Sequence, residues 1–200
     1  MHPVHFEEAI ILRGTVVAGL SDDEYFELCQ ANELVHIART PTRELVIRPL
    51  PGFLISHQVG SALFQVATRS HGYGGHTLSW AGYSLPDGAV LGPGVSWVSE
   101  ATYSALMKTQ RQKFPPLCPQ FVLELKAPFD RLATLHTRFE QWLTYGVELA
   151  ILLDAKPETA YIYRPGQPVE VVQGFDNELS GEPVLPSFRL DLRELREVAS

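Results

Sequence analysis

Cysteine is scarce: two in 200 residues, Cys29 and Cys118, neither in a C-x-x-C nor beside a histidine. That excludes a disulfide-stapled scaffold and a cysteine-ligated zinc site, and fits reduced, buried thiols. A chain of this length buries about 70% of its unfolded surface, so it needs no staples. No apolar run approaches 18 residues, so no membrane span is expected. A secretory leader is not expected either. Glu7 and Glu8 stand where it would carry Lys or Arg, and the apolar stretch is only residues 9–12. The expected location is therefore the cytoplasm. No G-x-G-x-x-G follows a strand pattern, which argues against a Rossmann fold. Basic residues are the minority, 16 Lys and Arg against 23 Asp and Glu, for a net charge of −7. The global charge does not favour non-specific wrapping of nucleic acid, although net charge leaves local patches open. There is no internal repeat and no low-complexity tract. With 45% hydrophobic and 20% charged residues the composition is that of a globular domain.

Residues 1–19 are weakly patterned and read as an extended arm; residues 20–200 read as a single domain. Ser21 and Glu24 spell a capping box for a helix over 22–31. Residues 34–39 and 44–48 read as a hairpin, with Pro41 in its turn. A helical period carries Val59, Leu63, Val66 and Ala67 on one side of 55–70. Strands follow over 77–83 and 89–98, joined by the turn Leu85-Pro86-Asp87-Gly88. Ser99 caps a short helix to about Met107, and residues 108–113 are a basic loop. A strand over 121–126 precedes a helix over 132–145 that ends on Gly146. The run LAILLD, 149–154, is wholly apolar until its last residue, as in a strand buried on both faces, and 159–163 pairs with it. Residues 169–173 and 188–190 read as sheet edge. The order implies α/β or α+β with a mixed sheet.

The chemistry concentrates at Glu124-Leu125-Lys126. Period-two alternation places Glu124 and Lys126 on one face of their strand, with Leu123 and Leu125 on the other. A carboxylate and an ammonium inside a sheet need a pair or a polar site. Glu124 can hold a hard cation and Lys126 can orient water, which suits phosphodiester hydrolysis. The bland alternative is an exposed ion pair on a strand edge.

Several linked segments surround this triplet: GAVLGPGVSWV, FVLELKAPFDR, YGVELAILLD and YIYRPG. Together they resemble the Uma-two family of endonucleases, a branch of the restriction-endonuclease-like PD-(D/E)XK superfamily. The resemblance spans roughly residues 20–192. It implies a restriction-endonuclease-like mixed central sheet flanked by helices. It also implies a Mg²⁺ or Mn²⁺ ion held by an Asp on one strand and by Glu124 on the next, DNA as partner, and a homodimer. Gly94 stands in Pro93-Gly94 where the family has P-D, and Ala38 stands where the first hairpin often carries an acid. The acidic positions of the metal site are thus partly blank, and a relative that binds nucleic acid or protein without cleaving it is the alternative. Asp87 reads as turn former against ligand, and Asp130 as helix N-cap against ligand. His57, near a helix start, and Arg138, at a position often Lys in the family, are the substrate-binding candidates, each also readable as a surface residue. Gln141 is a weaker candidate for the same cleft. Lys108, Arg111 and Lys113 form the compact basic cluster. Trp80, Trp97 and Trp142 read as core.

Overall fold

A computed structural model describes residues 9–69 and 74–196. The expected arm is in part structured: β1 (Ile10–Leu12) pairs with the later strand at 45–47, and α1 (Thr15–Ala18) follows. A three-residue strand is too short to show a period. The remainder of the arm, 1–8, lies outside the described residues. Helix α2 (Asp22–Gln30) has the expected capping box, with the Ser21 side chain accepting from the Glu24 amide. Strands β2 (Val35–Arg39) and β3 (Leu45–Pro49) form the expected hairpin, with His36 opposite Arg48.

Helix α3 (Phe53–Arg69) follows. The two long strands expected next are four short ones: β4 (His76–Ser79), β5 (Tyr83–Ser84), β6 (Val90–Leu91) and β7 (Val95–Val98). Gly82 and the Gly92-Pro93-Gly94 break let the chain change sheets between them. Ser99 caps α4 (Glu100–Ser104). Then come β8 (Phe121–Leu125), α5 (Leu132–Tyr145), β9 (Leu149–Asp154), β10 (Thr159–Tyr163) and β11 (Glu170–Gln173). The last pair, β12 (Glu178–Ser180) and β13 (Arg189–Asp191), makes its own two-stranded sheet, not the edge of the main one.

The main sheet runs β11-β10-β9-β8-β7-β4; β8 and β9 are parallel and every other neighbour is antiparallel. The second runs β1-β3-β2-β6-β5. Every residue of β8 and β9 is buried, because a helix covers each face. Phe121, Leu123 and Leu125 pack with Val59, Ala62 and Val66 of α3. Val122 packs on the other face with Leu135, Phe139 and Trp142 of α5. Trp142 has no exposed area, so truncation to Ala costs about 3–5 kcal/mol. Gly146 ends α5 at φ 110, the left-handed cap its sequence position requires. Two buried amides of α3 hold the C-terminal segment: Gln65 exchanges bonds with the Asp191 backbone at 2.8 and 3.1 Å, and Gln58 donates to the Leu195 carbonyl at 2.7 Å.

Candidate active site

Glu124 is on the α5 side of β8, the face of Val122, and is 7% exposed. A buried carboxylate needs a cation, and α5 supplies it: Arg138 Nη2 donates to Glu124 Oε2. A second guanidinium arrives from β3. Arg48 lies 3.8 Å from Asp130 Oδ1, beyond hydrogen-bond reach, and its buried Nε has no partner among the described residues. The Nε of Arg138 is likewise buried without a partner. Burial, and then the like charge of Arg138, pull the pKa of Arg48 below its ordinary value, against the opposing pull of Glu124 and Asp130. Burial, and then Arg48, also lower the pKa of His36, which favours its neutral ring. These side chains line a cavity of about 170 Å³. His36 and Trp80 stack within its lining, ring centroids 4.5 Å apart and planes 25° from parallel.

Both blank positions face this same cavity: Gly94 and Ala38 line it. A Cβ on Gly94 would meet the Leu123 carbonyl at 3.5 Å and Val59 at 3.6 Å, ordinary contacts. Space for a Cβ at Gly94 therefore exists.

Lys126 departs from the expectation of a shared hollow. Its Nζ sits 3.5 Å from Asp154 Oδ2, and it lines a second hollow with Asp154, Lys156, Gln58 and Leu54. The Lys126 amide still bonds to β9, donating to the Leu153 carbonyl at 2.8 Å, and the ammonium meets the carboxylate that ends β9. His57 is exposed on α3 and lines neither hollow, and neither does Gln141. Asp130 is not the cap of α5; Arg131 holds that position, and Asp130 accepts from the Ala127 amide at 3.0 Å. Asp87 is the expected turn former, accepting from the Ala89 amide at 3.0 Å. The basic cluster disperses: Lys113 pairs with Asp23 at 2.6 Å and Arg111 lies over the Tyr103 ring. Trp97 and Trp142 are core, but Trp80 is 39% exposed. Sequence reasoning missed Arg48, His36 and Asp154. The signal for the first two was present, since they are opposite members of the expected hairpin.

The donor set does not fit a Mg²⁺-type ion. Such an ion wants several oxygens. Glu124 is engaged by a guanidinium, Gly94 and Ala38 offer no side-chain oxygen, and the other carboxylate, Asp130, faces Arg48. Among the described residues no cluster of three His, Cys, Asp or Glu could hold a metal ion. No described helix is long and apolar enough to cross a membrane.

A mixed sheet with its parallel pair inside, a helix on each face and a buried carboxylate on the first strand of that pair define an α+β fold. A crystal structure described as "a putative nuclease belonging to DUF820", from Anabaena variabilis, shares this fold. Its TM-score is 0.73 at 15% identity, over 88% of this chain and 97% of that one. The family Uma2, described as "Putative restriction endonuclease", matches residues 22–193. The chain belongs to that family. No curated protein matches it.

Proposed function

We propose that this nuclease-family protein grips the phosphate backbone of a nucleic acid at the Glu124 cavity and does not hydrolyse it with Mg²⁺ or Mn²⁺. The carrying observation is the Arg138–Glu124 ion pair with Arg48 beside it, opposite Gly94. The pair neutralises the carboxylate that would hold a cation. The Nε atoms of Arg48 and Arg138 are left without acceptors among the described residues, and Arg48 stands 3.8 Å from Asp130. Phosphate oxygens are acceptors only, and a guanidinium matches them geometrically. The alternative, a metal-dependent endonuclease, requires Glu124 to exchange Arg138 for an ion. Homodimerisation, implied by the family resemblance, belongs to the same proposal and is read by sedimentation velocity.

The test is a fluorescence-anisotropy titration of labelled DNA in EDTA, beside a plasmid-nicking assay in Mg²⁺ and in Mn²⁺. Binding is expected without metal, weakening as salt rises. Arg48→Ala should weaken it and Lys126→Ala should not. No nicking is expected, and Gly94→Asp alone should add none, because Arg138 still holds Glu124. Cation-dependent nicking that Glu124→Gln abolishes would overturn the proposal.

A further inference from the structure

Trp80 has an unusual place. A bulky aromatic rarely takes a left-handed backbone, yet its φ is +53. Strain of that kind persists only where the surroundings fix it, and it gathers at ligand sites. The surroundings here are the Gly94 carbonyl, which accepts from the Trp80 amide at 3.3 Å, and the His36 ring stacked on the indole. Core packing does not account for the arrangement, since Trp80 is 39% exposed. His36 is in turn the cross-strand partner of Arg48. The indole, the imidazole and the Arg48 guanidinium, whose Nε has no hydrogen-bond partner among the described residues, all line the cavity.

We infer that this wall selects an unpaired nucleotide, Arg48 holding its phosphate while its base stacks on Trp80, so that the ligand is single-stranded nucleic acid and not duplex. The inference rests on the phosphate grip proposed above and adds to it the strandedness of the ligand. In a duplex, base faces are already stacked on one another; in a single strand they are free for an aromatic platform, and every base has one. Arg48 and the partly exposed indole of Trp80 line the same cavity of about 170 Å³, room enough for a phosphate. A neutral His36 backs the indole without adding charge.

The experiment compares a short labelled single-stranded DNA, the same sequence as RNA, and the DNA duplex, each titrated by anisotropy in EDTA. The single strand should bind at least about ten-fold tighter than the duplex, with the RNA arm showing whether the 2′-hydroxyl matters. Trp80→Gly suits the left-handed backbone and removes the ring. It should lower single-strand affinity about ten-fold and leave duplex binding unchanged. Trp80→Phe should keep most of the affinity that Trp80→Leu loses, a ring-specific difference that holds even where Trp80→Gly weakens the fold. Equal affinity for single strand and duplex, or a silent and folded Trp80→Gly, would overturn this inference and leave the phosphate grip standing. Failure of every nucleic acid to bind would overturn both.

Discussion

Two hollows flank the end of β8, and neighbouring charged residues of one strand serve them differently. On the α5 side, Glu124 pairs with Arg138, and the Nε atoms of Arg138 and of a second guanidinium, Arg48, have no hydrogen-bond partner among the described residues. On the α3 side, Lys126 and Asp154 face each other at 3.5 Å. The first hollow carries donors in excess; the second closes upon itself. A charged residue at a sheet end becomes a ligand site only when its neighbourhood leaves something unmatched, and here that surplus is a cation and not the carboxylate the family pattern would supply.

The sharpest way to break the contrast is to remove one partner from each pair. Arg138→Met strands the buried Glu124 carboxylate and should lower stability by about 3 kcal/mol in urea denaturation. Asp154→Ala, beside an ammonium with 21% of its side chain exposed, should cost about 1 kcal/mol or less. Equal costs would erase the difference between the hollows. Removing both charges of the buried pair, Glu124→Leu with Arg138→Leu, should recover most of what the single change loses, because no charge is then stranded. Arg48→Met should raise the stability of the free protein by about 1 kcal/mol while weakening nucleic-acid binding, since burial and Arg138 both oppose its charge. A stability loss there would mean that Arg48 is already satisfied without a ligand. The smallest effect concerns the thiols. Burial pushes Cys118 up to about 12 and raises Cys29, which lines the cavity. Burial thus disfavours both thiolates, so iodoacetamide at pH 8 should label the native protein far more slowly than the unfolded one. Rapid native labelling of Cys29 would show that its environment carries a surplus of positive charge reaching the thiol.

The sequence was most legible where a single local rule decides the outcome. Residues 132–145 have a clean helical period and a Gly that accepts φ 110, so α5 falls where expected. β9 was equally plain, because a run such as LAILLD is buried on both faces. The capping box at Ser21 and Glu24 and the turn at Asp87 are local as well. Gly94 and Ala38, which the sequence singles out, both line the cavity of Glu124. The rest depended on contacts that no local pattern encodes. Residues 77–98 are divided between two sheets, which a strand pattern alone does not reveal. Lys126 meets Asp154, the carboxylate that ends the neighbouring strand, and lines a hollow apart from that of Glu124. Asp130 resembled a cap by its position before α5, but the nearby Ala127 amide took its carboxylate. Arg48 comes to Asp130 and Arg138 from a strand more than 80 residues away in sequence.

The clasp of Gln58 and Gln65 on the C-terminal segment ties positions 137 and 126 residues apart. Contacts over such spans carry a larger closure entropy than local ones. While the chain is being synthesised, these amides of α3 have no backbone to hold, and the helix keeps an incomplete buried face. A chain cut before β13 would leave both amides without these partners and that face of α3 uncovered.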